Sequence, residues 1–137
     1  MNALFTYGSL MCEDIMFRVA GACQVAGEAV LDGFRCFSVC NEEYPAIAPR
    51  EDAVTRGVLY RNIAADGWRK LDDFEGEMYE RRSVTVRLIS GEAVGADTYV
   101  FRPEFHHLLT DLDWRFETFL KQGKQRFIEK YIGFTKI

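Results

Sequence analysis

The sequence has no run of lysine or arginine longer than a pair, and its 17 basic against 21 acidic side chains leave a formal charge of −4. That excludes the polybasic footprint of a nucleic-acid or anionic-membrane binder. It has no Cys-x-x-Cys pair: Cys12, Cys23, Cys36 and Cys40 are spaced otherwise, and its only two histidines, His106 and His107, are adjacent. Metal-ligand spacing is therefore poor, and no metal or other cofactor is expected. A disulfide framework belongs to smaller exported domains, so the four cysteines are read as reduced, mostly buried thiols. The opening residues, Met1 to Gly8, have no basic region, no long apolar core and no cleavage pattern, and the expected location is cytoplasmic. No repeat, low-complexity tract or linker divides the chain, so residues 1–137 are read as one domain.

What is present is an ordinary globular composition, with 48% hydrophobic, 14% aromatic and 28% charged residues over 137 positions, enough for a real core. The chain is organised around Leu71-Asp72-Asp73-Phe74-Glu75-Gly76-Glu77-Met78-Tyr79-Glu80-Arg81. Ala64, Trp68, Leu71 and Glu75 recur at spacings of four, three and four. They form one helical stripe facing the interior, and Gly76 is the stop. Glu75 thus extends an apolar face close to the negative end of a helix dipole. Desolvation and dipole both disfavour its ionised form and raise its pKa, which is how a general base is tuned. The plainer alternative is a solvated acidic surface run from Asp72 to Glu80. Position separates the acids, because Asp73 lies about 160° round the helix from Leu71 and reaches water while Glu75 is on the buried side.

In chain order, Ala3-Leu4-Phe5-Thr6 reads as a strand and Tyr7-Gly8-Ser9 as a tight turn, with a helix from about Met11 to Ala20. Gly8 permits a turn or a close approach, and the N–H groups that open the next helix suit a carboxylate or phosphate. A plain junction with Ser9 as a helix cap fits the same residues. Val25–Leu31 and Phe34–Val39 alternate like strands, and Asp32-Gly33 between them predicts a hairpin. Asn41–Pro49 reads as a loop with a short apolar insert, Tyr44-Pro45-Ala46-Ile47. Val54–Tyr60 resumes as a strand, with Gly57 as a bulge or close approach. Ser83–Ile89, a turn at Ser90-Gly91-Glu92 and Ala93–Phe101 complete a set of about six strands, so an α+β fold with a curled sheet or small barrel is expected.

The last third differs. Thr110 and Asp113 have capping-box spacing, and Leu112, Phe116, Phe119, Leu120, Phe127 and Tyr131 mark an apolar face over about twenty residues. This predicts a long amphipathic helix, with a kink or tight packing at Gly123. It is read as a lid over the sheet, with a dimer contact as the alternative and a monomer or weak homodimer as the expected state.

Together, Tyr7-Gly8-Ser9-Leu10 and Leu71-Asp72-x-Phe74-Glu75-Gly76-x-x-Tyr79-x-Arg81 resemble the γ-glutamylcyclotransferase-like family, in particular its avirulence-induced-gene-like branch. The resemblance spans Leu4 to about Phe101 and includes Tyr44-Pro45-Ala46-Ile47, Gly57-Val58-Leu59-Tyr60 and Asp97-Thr98-Tyr99-Val100. It implies a small mixed β-barrel flanked by helices, with residues 1–103 as barrel core and residues 110–132 as a C-terminal helix extension. It also implies Glu75 as the catalytic acid/base, Tyr7, Gly8, Ser9 and Leu10 as the substrate-holding turn, and Tyr79 and Tyr99 as pocket wall. Arg81 either holds a substrate carboxylate or pairs with a nearby acid for structure. The implied reaction cyclises a small γ-glutamyl amide: its α-amino group attacks its γ-carbonyl, giving 5-oxoproline and an amine without metal, cofactor or covalent nucleophile. A module that binds a small carboxylated metabolite in the same cavity without chemistry is the alternative.

Overall fold

The first five strands close on themselves. In the computed structural model, which describes residues 2–132, these are β1 (Leu4–Thr6), β2 (Gln24–Val39), β3 (Pro45–Arg61), β4 (Tyr79–Leu88) and β5 (Ala93–Phe101). They lie in the order β3-β1-β5-β4-β2, and β2 pairs again with β3. A sheet whose two ends pair is a barrel, which leaves no free edge among the five. β1 runs antiparallel to β3 and parallel to β5, so the barrel is mixed. A sixth strand, β6 (Leu109–Asp113), adds to β2 outside the closed set.

The period-2 alternation of the strands feeds two cores. Phe5, Leu31, Ile47, Leu59, Val86 and Val100, all from the strands, form with Ala3 and Tyr7 at the two ends of β1 a cluster that fills the barrel. Leu4, Tyr60, Tyr99 and Phe101 point the other way, toward Ile15, Met16, Trp68, Leu71, Phe119 and Phe127 of the helices. The helices are α1 (Glu13–Ala20), α2 (Ala65–Glu75) and a C-terminal helical stretch over 116–132. Gly57 is a close approach, as one of the sequence alternatives has it: an added Cβ would lie 1.9 Å from the Thr6 carbonyl oxygen and 2.7 Å from the Phe5 ring. Among the described residues no helix is long and apolar enough to cross a membrane.

Several local expectations are corrected. Asp32-Gly33 is not a hairpin turn. β2 continues through it, and the register jumps from Asp32↔Val54 to Phe34↔Pro49 while Gly33 takes φ 85°. A glycine able to adopt positive φ serves a bulge as well as a turn, and the long partner strand decides between them. Asn41–Pro49 is not a loop throughout, because β3 already begins at Pro45. The helix expected from Met11 is a 3-10 turn (Ser9–Met11) followed by α1. Ser9 caps neither, the N-cap positions being Gly8 and Cys12. Ala64 is the exposed N-cap of α2 and not part of its buried stripe. Of the free thiols only Cys12 is buried, Cys23 and Cys36 are half-buried, and Cys40 is exposed.

The helix expected from Thr110 begins only at Phe116, because residues 109–113 are drawn into the sheet as β6. Thr110 caps no helix: its hydroxyl accepts from the Leu112 N–H at 3.1 Å, and Leu112 is 70% exposed. From Phe116 the chain alternates ordinary turns with wider π turns at Phe119–Gly123 and Ile128–Ile132. Tight packing at Gly123 holds, since a Cβ there would sit 2.3 Å from the Glu43 carboxylate. Arg126 pairs with Glu43 at 2.7 Å and Lys130 with Glu42 at 3.3 Å. The stretch is thereby clasped to the β2–β3 turn and lies over the barrel flank with Phe119 and Phe127 buried.

Candidate active site

Where α2 ends, beside the turn after β1, the two motifs meet. Trp68 and Leu71 anchor the buried stripe of α2, and Gly76 stops the helix with φ 80°, its N–H donating to the Asp72 carbonyl at 3.1 Å. This leaves Glu75 as the last helical residue, facing a cavity of about 150 Å³. The floor and walls include Thr6, Tyr7, Gly8, Ser9 and Leu10 from β1 and its turn, with Tyr79 and Tyr99 from β4 and β5.

Glu75 is half-buried, because the cavity it lines opens to solvent, and protein atoms surround it otherwise. Burial, reinforced by the nearby negative charge of Asp72, pushes its carboxyl up to about 8. Asp72 lies three residues earlier, which places it beside Glu75 on the helix surface. Asp72 in turn accepts from the Tyr99 hydroxyl at 2.6 Å and from Arg81 at 3.2 Å.

The tyrosines are committed to the walls. Tyr7 donates its hydroxyl to the Tyr99 carbonyl at 2.6 Å, tying β1 to β5, and Tyr79 donates to the Pro45 carbonyl at 2.7 Å, tying β4 to β3. Burial pushes both phenols well above their ordinary range, with the Glu75 charge adding to the effect. Tyr99 is raised first by burial and then by its bond to Asp72. All three remain protonated donors near neutrality. No hydrogen bond among the described residues uses the Glu75 side chain, which leaves its oxygens available to a ligand.

Gly8 brings the turn against Pro45: a Cβ at Gly8 would lie 2.7 Å from Pro45 Cγ. The first hydrogen bond of the 3-10 turn is Met11 N–H to the Gly8 carbonyl at 3.0 Å. The N–H groups of Gly8, Ser9 and Leu10 therefore precede that ladder and have no partner within it.

Arg81 stands apart from the cavity lining. It bridges Asp72 and Asp97 (3.4 Å), and its guanidinium lies over the Trp68 ring, 4.5 Å from the centroid. The arrangement fixes the end of α2 to β4 and β5. Asp72 belongs to the quoted motif, which gives it no role of its own; the structure places it one turn before Glu75, bonded to Tyr99 and Arg81. Tyr44, Pro45, Phe74, Met78, Phe127 and Tyr131 also line the cavity. Among the described residues no three histidine, cysteine or acidic side chains converge as a metal site.

One consequence is testable without any substrate. Asp72→Asn removes a negative charge beside Glu75, so the Glu75 carboxyl is expected to titrate below about 8. NMR of the 13C-labelled carboxyl would measure it, and an unmoved midpoint would rule out the coupling.

The family model for gamma-glutamyl cyclotransferase, AIG2-like, matches residues 4–116. The chain belongs to that family. It is 33% identical over 138 aligned positions to AIG2-like protein D of Arabidopsis thaliana, covering 99% of this chain and 88% of the relative. The solution structure of another Arabidopsis thaliana protein superposes with a TM-score of 0.70 at 27% identity, covering 95% of this chain and 87% of that one. A structure described as gamma-glutamyl cyclotransferase superposes with a TM-score of 0.67 over 78% of this chain and 75% of its own; at 16% identity it speaks to the fold alone. The AIG2-like chain thus has a gamma-glutamyl cyclotransferase fold, and the coverage by protein D extends through the C-terminal helical stretch.

Proposed function

We propose that this AIG2-like protein cyclises a small γ-glutamyl amide, with Glu75 as the acid/base. The observation that carries the reading is the Glu75 carboxyl itself: it faces the cavity with no hydrogen-bond partner among the described residues, and burial raises it to about 8. A carboxyl so placed exchanges protons with an amine at little free-energy difference, which is the condition for efficient general acid–base work.

The nucleophile is part of the substrate, so the protein's task is to fold the γ-glutamyl chain into attack geometry, a contribution that reaches about 7–11 kcal/mol in well-oriented intramolecular reactions. The α-carboxylate docks on the N–H groups of Gly8 to Leu10. Glu75 takes a proton from the α-ammonium, and the freed lone pair attacks the γ-carbonyl carbon, forming the new C–N bond. As the tetrahedral intermediate collapses, the original amide C–N bond breaks. Both protons lost by the attacking nitrogen reach the departing amine, each carried by Glu75.

The ionised carboxylate is the reactive form, so activity is lost as pH falls below the Glu75 value. kcat/KM for 5-oxoproline release is expected to rise by about tenfold per pH unit on the acid side and to level near pH 8. A profile flat from pH 5 to 8, scanned about one unit at a time, would remove Glu75 from the proton transfer.

A further inference from the structure

A second cavity, of about 190 Å³, lies between the helical stretch over 116–132 and the sheet, and shares no lining residue with the cavity at Glu75. A void of about 150 Å³ is enough for a benzene-sized guest, so this one has room for a small molecule.

Its two sides carry opposite charge. The β2–β3 turn and the end of β6 supply Glu42, Glu43 and Asp113, while the start and one face of the helical stretch supply Arg115, Thr118, Gln122 and Arg126. Each acid is bound through a single oxygen: Asp113 Oδ1 by Arg35 at 2.7 Å, Glu43 Oε2 by Arg126 at 2.7 Å, and Glu42 Oε1 by Lys130 and Tyr131. Among the described residues the second oxygen of each acid accepts no hydrogen bond. Arg35, Arg126 and Lys130 are thus matched one to one with the acids. Arg115 is the cation of the lining that has no ion pair among the described residues. The base between the two sides is apolar. Trp114 is fixed by its indole N–H to the Glu43 carbonyl at 2.7 Å, and its ring stands 5.4 Å from that of the buried Phe119.

An anion alone would meet the three carboxylates of this cavity, and a cation alone would meet Arg115 and Arg126; like charges at such range repel. A molecule with both charges a few bonds apart suits both sides. Its ammonium takes the spare carboxylate oxygens and its carboxylate takes the Arg115 fork, while an apolar side chain covers the two rings of the base. We infer that this cavity is a second binding site, for a free α-amino acid with an apolar side chain. The inference does not depend on the cyclotransferase reading.

The test is an NMR titration of the whole chain with L-leucine, with isocaproic acid, which lacks only the ammonium, and with isopentylamine, which lacks only the carboxylate. The chain has two tryptophans, so the Trp114 indole N–H reports on this cavity and that of Trp68, in α2, is the control. L-leucine is expected to shift the Trp114 signal saturably with a Kd of about 1 mM or below, leaving Trp68 in place. Both truncated probes are expected to bind at least about tenfold more weakly, since each forgoes hydrogen bonds to charged groups. Arg115→Gln, at an exposed position, is expected to leave the fold intact and to weaken L-leucine binding by about tenfold. No saturable shift below about 10 mM, shifts confined to the surroundings of Glu75, a truncated probe that binds as tightly as L-leucine, or an Arg115→Gln protein with native affinity would each overturn the inference.

Discussion

Replacing Glu75 by glutamine is expected to lower 5-oxoproline formation by about 10²–10⁴-fold, the usual contribution of a positioned acid/base, while the protein stays folded. Glutamine keeps the shape and polarity of the side chain and removes only the proton exchange. Stability gives an independent reading of the same group. The folded Glu75 carboxyl sits at about 8 against an ordinary 4.5, so between those pH values the folded state binds more protons than the unfolded one and stability falls as pH rises. Each tenfold change in proton affinity is worth about 1.4 kcal/mol, and a displacement of this size therefore costs the ionised native protein on the order of several kcal/mol. The variant lacks that loss. It should match the native protein in denaturant titrations near pH 5 and exceed its stability at pH 8.5, both figures set roughly by the two limits of the titration. Equal stability at both ends would mean that Glu75 is not buried as an acid.

The second large effect lies on the other wall. Phe127 is 3% exposed and meets Phe74, Phe119 and Tyr131. Phe127→Ala is expected to cost about 3–5 kcal/mol, the range for emptying a buried phenylalanine site, a large share of the roughly 5–15 kcal/mol that holds a domain together. The midpoint in urea should fall with an unchanged slope. In whatever fraction remains folded, the cavity should lose affinity for its ligand, because Phe127 is both core and wall. A loss below about 1 kcal/mol would show that the site collapses around the gap or that the helix contributes little to the fold.

The sequence was most legible where a local pattern and a long-range packing demand agree. Trp68, Leu71 and Glu75 share one face of α2 because the period of a helix puts them there, and Gly76 ends it with a positive φ as a C-terminal glycine does. The clean alternation of Ser83–Ile89 followed by a turn likewise became β4 and β5. Legibility failed where one local signal serves two structures. Asp32-Gly33 suits a turn or a bulge, and only the pairing of β2 with β3 on both sides of it decides. Thr110 and Asp113 carry helix-start chemistry, yet the exposed side of β2 takes those residues as a strand. Pro45 resembles loop punctuation and stands at the first position of β3, where a strand tolerates proline.

For the cavity, Glu75 and the Tyr7–Leu10 turn were visible as separate motifs, and the fold brings them together. Asp72 stands in the motif without a legible role, because an acid beside other acids reads as surface. Its partners Tyr99 and Arg81 are 27 and 9 residues away, so its role depends on strand pairing that no local window contains. Phe127 and Tyr131 were seen as an apolar face, but that they complete the mouth follows from the helical stretch being fastened to Glu42 and Glu43.

The most direct test of the central claim is a mass-spectrometric balance of products after native protein and its Glu75→Gln variant are incubated with γ-glutamylamines. Native protein is expected to release 5-oxoproline and free amine in equal amounts, and the variant to release neither at a comparable rate. Glutamate in place of 5-oxoproline, or equal release by the two proteins, would contradict it.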